Sequence, residues 1–276
     1  MANWQDLASE LERWALAGRR ATFWWRDDDA VEPNAALTRL LALARARDLP
    51  LALAVIPARL SQRLVPALAG SGATVTLLQH GYAHRNHAPP GEKKQELGDH
   101  RPLTRVLHEL ARGAAMLDAG LGSDRNPEGG GPERAAVLVP PWNRFAAGLL
   151  PALPELGFCG LSGFGPRAAS ATPEGLRLCH CHVDILRWKD PRGFRGEAET
   201  LAQLIAHLGA RRRGEADGEE ATGLMTHHLA HDGPAWAFLE RLLDTLTAHP
   251  AVDFLSVSEA FGWTQRRVPQ LAAAGR

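Results

Sequence analysis

The strongest constraint on the fold is an alternation. Short apolar runs take turns with longer runs of helical spacing along almost the whole chain. The apolar runs lie at 21–25, 51–56, 73–79, 135–139, 158–162, 176–186, 223–227 and 252–257. Helical spacing recurs at 34–47, 61–69, 103–121, 145–156, 197–211 and 234–249. Strands that alternate with helices in this way form parallel sheets with crossover helices. The expectation is an α/β fold: a (β/α) barrel of seven or eight strands, distorted or incompletely closed, in one domain over residues 1–276. Trp4, Leu7, Leu11 and Trp14 recur on one face ahead of the first strand, which predicts an amphipathic helix at about 3–18. Segments 122–133 and 214–222 carry Gly and charge and break the rhythm, so both read as surface loops.

Charge and composition exclude several classes of function. Lys and Arg number 31 and so do Asp and Glu, with no dense basic stripe, so a nucleic-acid partner is not expected. The run Arg211-Arg212-Arg213 is followed by Glu215, Asp217, Glu219 and Glu220 and reads as a solvated loop. No stretch approaches the ~20 apolar residues of a membrane span. The first residues have neither a basic nor an apolar leader region, and three cysteines make no disulfide framework, so a cytoplasmic location is expected. No oligomeric state is assigned.

The functional reading rests on where polar residues fall. The first strand ends in Arg26-Asp27-Asp28-Asp29, the third in His80-Gly81-Tyr82-Ala83-His84, the fourth in Val139-Pro140-Pro141-Trp142. The 176–186 run carries His182 and Asp184, and the next ends in Thr226-His227-His228. In a parallel barrel all these ends meet at one rim, where such folds build active sites. Neighbouring carboxylates repel unless a cation or shared proton offsets the charge. Two imidazoles and a carboxylate are a common ligand set for catalytic zinc. Cys179 and Cys181 alternate with His180 and His182, which points them to opposite faces, so a second metal is not expected there.

This ordered set resembles the NodB-homology polysaccharide deacetylases, the carbohydrate esterase family four type. That family carries an Asp-Asp pair, a His-x-x-x-His segment, an Arg-Pro-Pro-aromatic turn, an Asp with a nearby Trp, and a Leu-x-His. Here Asp28-Asp29, His80 to His84, Val139-Pro140-Pro141-Trp142, Asp184 with Trp188, and Leu224-Met225-Thr226-His227 resemble them in order. The resemblance implies one divalent ion, zinc, held by Asp29, His80 and His84. It implies Asp28 as general base and His227 as general acid oriented by Asp184, with the Trp142 turn giving a backbone N–H to the oxyanion. The implied activity is hydrolysis of a non-peptide amide, N-deacetylation of an amino sugar or saccharide conjugate. The expected substrate is a small or carrier-linked N-acetylated saccharide. A small non-sugar amide and a non-catalytic carbohydrate-binding barrel are the alternatives.

Three departures accompany the resemblance. The Asp run has two registers, and Ala30 after Asp28-Asp29 favours that pair over Asp27-Asp28. Val139 stands where the family has an Arg, which leaves Arg26 or Arg144 as nearby substitutes. His228 follows His227, and strand alternation allows only one of them into the site.

Overall fold

The computed structural model describes residues 1–121 and 131–263. Of the predicted loop at 122–133, residues 122–130 lie outside the described residues. The chain opens with α1 (Trp4–Leu16), whose Leu7, Leu11 and Trp14 are buried. Asn3 caps it: its side chain accepts from the Gln5 and Asp6 N–H groups, and Asp6 returns the bond to the Asn3 N–H. Such reciprocal capping satisfies donors that the first helical turn leaves open.

Strands and helices then alternate: β1 (Ala21–Ala30), α2 (Ala35–Ala46), β2 (Leu51–Val55), α3 (Leu64–Ala69), β3 (Val75–His80), α4 (Leu103–Leu121) and β4 (Glu133–Val139). After these come β5 (Gly160–Leu161), β6 (Arg177–Leu178), β7 (Val183–Asp184), β8 (Leu186–Arg187) and β9 (Gly193–Phe194). The chain continues with α5 (Glu197–Arg213), β10 (Thr222–Thr226), α6 (Gly233–Thr247), β11 (Val252–Phe254) and α7 (Val257–Ala260).

The main sheet runs β6-β5-β4-β3-β2-β1-β10-β7, and β11 adds to β1. Every pairing in it is parallel. The sheet is a curled, incompletely closed (β/α) barrel, and outside its strands Phe164, after β5, forms a parallel bridge with Cys181, ahead of β7. On β1, Phe23 and Trp25 face the helix-covered side with Leu7, Leu11 and Trp14. Trp24 faces the interior with Ala52, Ala54, Leu78 and Val139. That parity governs the Asp run at the end of the strand.

Three expectations need correction. The run 176–186 is not one strand but breaks into β6, β7 and the start of β8. The segment 145–156 forms short 3-10 turns at Ala147–Ala152 and Pro154–Leu156, because Pro151 and Pro154 remove the N–H groups an α-helix needs. Arg211, Arg212 and Arg213 form the last turn of α5. Arg211 is buried and donates to the Thr22 and Gly218 carbonyls and to the Thr22 and Thr222 hydroxyls. Glu220, from the other loop expected to be solvated, is buried as well. Among the described residues no helix is long and apolar enough to cross a membrane.

Candidate active site

The end of β1 distributes its charges by strand parity. Arg26 and Asp28 point into the barrel, and Asp27 points to the other face. Arg26 is fully buried, and its Nε and Nη2 donate to the two oxygens of Asp28 at 2.8 and 2.9 Å. The rest of the guanidinium donates to the Ser162 hydroxyl, to the Ser162 and Gly163 carbonyls, and to Asn143 Oδ1. Of the two cations near the motif, Arg26 is the one that pairs with Asp28, while Arg144 binds the Lys94 carbonyl. Asp27 accepts from the Thr226 hydroxyl at 2.7 Å, the His228 backbone N–H at 2.9 Å and His228 Nδ1 at 2.5 Å. Burial opposes both charges in this pair, but their mutual attraction wins: the Asp27 carboxyl is lowered and the His228 imidazole raised. His228 therefore faces away from the interior, and His227 faces it.

Asp29 sits in a left-handed backbone conformation, φ 72°, which turns its side chain out of the strand. Its Oδ1 lies 3.3 Å from Nε2 of both His80 and His84 and has no hydrogen-bond partner of its own. Burial pushes its carboxyl up, but the two imidazoles outweigh that and hold it below the usual carboxylate range. His80 Nδ1 lies 3.0 Å from the Val139 carbonyl. A carbonyl only accepts, so Nδ1 carries a proton, and in the neutral ring Nε2 turns its lone pair toward Asp29. A metal-binding histidine is oriented by the same kind of bond on its other nitrogen. An acceptor oxygen without a hydrogen bond, 3.3 Å from two imidazole nitrogens that offer lone pairs in the neutral rings, fits a cation.

Trp142 takes φ 56° and lays its ring against His84 at 4.3 Å. On the far side, His227 Nε2 lies 4.0 Å from Asp28 Oδ2. Asp184 accepts from the Leu186 N–H and from the Trp188 indole at 2.9 and 2.8 Å. The Trp188 ring meets His227 edge-on at 4.6 Å. The Asp184 carboxyl is pushed up by burial, against the charge of His227 and these two bonds. Asp184 and His227 thus meet through Trp188, and His227 Nδ1 is buried without a hydrogen-bond partner.

Sequence reasoning missed Glu96, which follows Lys93 and Lys94 in a charged run. It is buried, and its carboxylate accepts from the backbone N–H groups of Tyr82, Ala83 and Arg85. Glu96 therefore holds the turn that presents His80 and His84. Gly81 in that turn has φ 56°, and a Cβ there would sit 2.1 Å from Glu96 Oε2 and 2.6 Å from Pro141 Cγ. Gly81→Ala is expected to displace Glu96 and cost about 1–3 kcal/mol from backbone strain alone. Thermal unfolding measures the cost, and an unchanged melting temperature would show that the turn tolerates a side chain.

A second His-His-carboxylate group, His182, His207 and Glu220, is buried elsewhere in the fold. It does not fit a metal ion. The His182 and His207 rings stack at 3.6 Å and 15°, so their in-plane lone pairs run side by side and do not converge. His182 Nδ1 accepts from the Gly223 N–H at 2.9 Å, which leaves the proton of a neutral ring on Nε2, 3.3 Å from Glu220 Oε2. Cys179 and Cys181 point into the interior core, on the opposite face from this pair.

Burial, then the charges of His182 and Arg211, push His207 down to about 3. The unfolded chain takes up this proton near the ordinary histidine value, ~6.5, whereas the folded chain does not until far lower pH. The contribution is therefore complete above ~6.5 and is lost as pH falls through the window down to about 3. Between pH 7.5 and 5 the loss from His207 should be about 2 kcal/mol. Denaturant midpoints at the two pH values test this against His207→Gln. An equal pH dependence in the two proteins would refute it.

No family model and no curated protein matches the chain. Solved structures do. A provisionally named polysaccharide deacetylase from Mycobacterium smegmatis superposes with TM-score 0.62 at 16% identity, over 89% of this chain and 90% of that one. A family 4 acetyl xylan esterase from Clostridium thermocellum, solved with a cobalt ion, gives 0.51 at 14% identity, over 88% and 91%. A family 4 pseudoenzyme from Bacillus anthracis gives 0.54 at 13% identity, over 88% and 66%. The barrel is therefore the polysaccharide-deacetylase fold, and that fold carries both enzymes and at least one pseudoenzyme.

Proposed function

We propose that the chain is a metal-dependent hydrolase that removes an N-acyl group, acetyl in the first instance, from a small or carrier-linked amino saccharide. One observation carries this reading: His80 and His84 each bring Nε2 to 3.3 Å from one oxygen of Asp29, beside an Asp28 clamped by Arg26. In this reading Asp29, His80 and His84 hold a divalent ion, zinc. Such an ion polarises an amide carbonyl and acidifies water.

The remaining roles fall to the chain itself. Asp28 takes a proton from the attacking water, and Arg26 holds both oxygens of its carboxylate in place. His227, across a 4.0 Å gap, gives a proton to the departing amine. Asp184 supports His227 electrostatically, through Trp188. The left-handed Trp142 turn directs backbone N–H toward the developing oxyanion. Trp142 and the half-exposed Trp188 offer faces on which a sugar stacks.

The test is free acetate released by zinc-loaded protein from N-acetylated mono- and disaccharides, compared with long chitin oligomers and with small non-sugar amides. Release from the short saccharides is expected. Stoichiometric zinc with no release from any substrate would leave a non-catalytic binding barrel as the better account.

A further inference from the structure

A cavity of about 500 Å³ opens beside the site, lined by Glu92, Lys93, Gln95, Asn143, Arg144 and Phe145. Asn143 follows Trp142, whose ring lies against His84, and accepts from Arg26 Nη2 at 3.0 Å. One hydrogen bond thus separates the cavity wall from the guanidinium that clamps Asp28. The other wall is the chain around 92–95. Its Gln95 N–H donates to Asn86 Oδ1 at 2.9 Å, and the next residue is the buried Glu96. Leu97 and Phe145 form a bridge, and the Ala146 N–H donates to the Leu97 carbonyl at 2.7 Å. The two walls are therefore pinned to each other and to the turn that carries His80 and His84.

The charges in this cavity do not cancel. Glu92 lies 3.7 Å from His100 Nε2, a partner outside the cavity lining. Arg101, Arg134 and Arg167 each meet a carboxylate. Among the described residues, Lys93 and Arg144 have no carboxylate within ion-pair reach, and Arg144 binds only the Lys94 carbonyl. Two uncommitted cations suit an anionic oxygen group, to which their bonds are shorter and stronger than neutral ones. The Phe145 ring and the Gln95 and Asn143 amides suit a sugar. The volume falls in the range of small-ligand pockets.

We propose that this cavity is a subsite for an anionic group, a carboxylate or a phosphate, carried by the saccharide next to its acylated amine. The proposal rests on the deacetylase reading of the neighbouring site. It makes the substrate an acidic or phosphorylated amino saccharide in preference to a neutral one.

The test is calorimetric binding to the zinc-loaded full chain. The probes are N-acetylglucosamine 1-phosphate, a glucuronic acid–N-acetylglucosamine disaccharide and neutral diacetylchitobiose. At least one anionic probe should bind about tenfold more tightly than the neutral one, and added salt should narrow the gap. Lys93→Gln with Arg144→Gln should erase most of the preference and leave the neutral affinity within about twofold. Which probe wins distinguishes carboxylate from phosphate. Equal binding of all three, binding of none, or a preference that survives the double variant overturns the proposal. Acetate released from chitobiose alone also overturns it while upholding the deacetylase reading. Charge-dependent binding with no acetate from any probe does the reverse.

Discussion

Replacing His80 and His84 together by Ala is expected to abolish zinc binding and to drop acetate release to background, with the fold retained. Both imidazoles lie 3.3 Å from the same Asp29 oxygen, so removing them takes away two of three donors to one point. A lone carboxylate does not hold zinc at neutral pH against water, since protein zinc sites use three or four ligands. Metal content after dialysis reads this directly. The fold should survive because Glu96 holds the turn through its backbone, and of the two imidazoles only that of His80 adds a bond, to the Val139 carbonyl. Stoichiometric zinc in the double variant would place the ion elsewhere. Unfolding of the metal-free parent under the same conditions would show that the ion also supports the barrel.

The second large effect concerns Arg26. Arg26→Leu removes the cation bonded to both oxygens of the Asp28 carboxylate and leaves that carboxylate buried, with His227 4.0 Å away. Breaking one side of a buried pair typically costs ~3–5 kcal/mol. Arg26→Leu with Asp28→Asn removes both charges and should recover much of that stability without recovering turnover. Asp28→Asn alone should lower turnover by roughly a hundredfold or more, the usual scale for a lost general base. Asp27→Asn should instead lower the melting temperature, since its partners are Thr226 and the buried His228. Turnover and stability measured on the same four proteins separate these roles. If Asp27→Asn loses turnover while Asp28→Asn keeps it, the two carboxylates have the opposite assignment.

Much of the architecture was legible in the residues because its signals are local. Helix and strand periods are set within a few neighbours, so the alternation read as a (β/α) barrel survives folding. The His pair and the Asp run lie within short segments, so their convergence at one rim followed once the strands were parallel. Where local signals misled, the cause is identifiable. Pro151 and Pro154 broke the pattern at 145–156 that otherwise looked helical. The 176–186 run holds apolar and polar residues in alternation, yet it splits because successive parts pair with β5 and β10.

What the sequence by itself determined is the set of chemical groups and the strand ends that carry them. Which of these groups meet was decided by the tertiary structure. Trp24 and Trp25 are both apolar, so the sequence hid the parity that sends Arg26 and Asp28 inward and Asp27 to His228. The pairing of Arg26 with Asp28 is steadied by Ser162, Gly163 and Asn143, which arrive from other strand ends. Glu96 and Glu220 look solvated in charged runs. They are buried because their donors, backbone N–H groups at positions 82, 83 and 85 for one and 167 and 180 for the other, come from segments far away or folded back over them. A buried charge is tolerated only where such partners assemble, and that assembly is a property of the packed barrel, not of any run of residues.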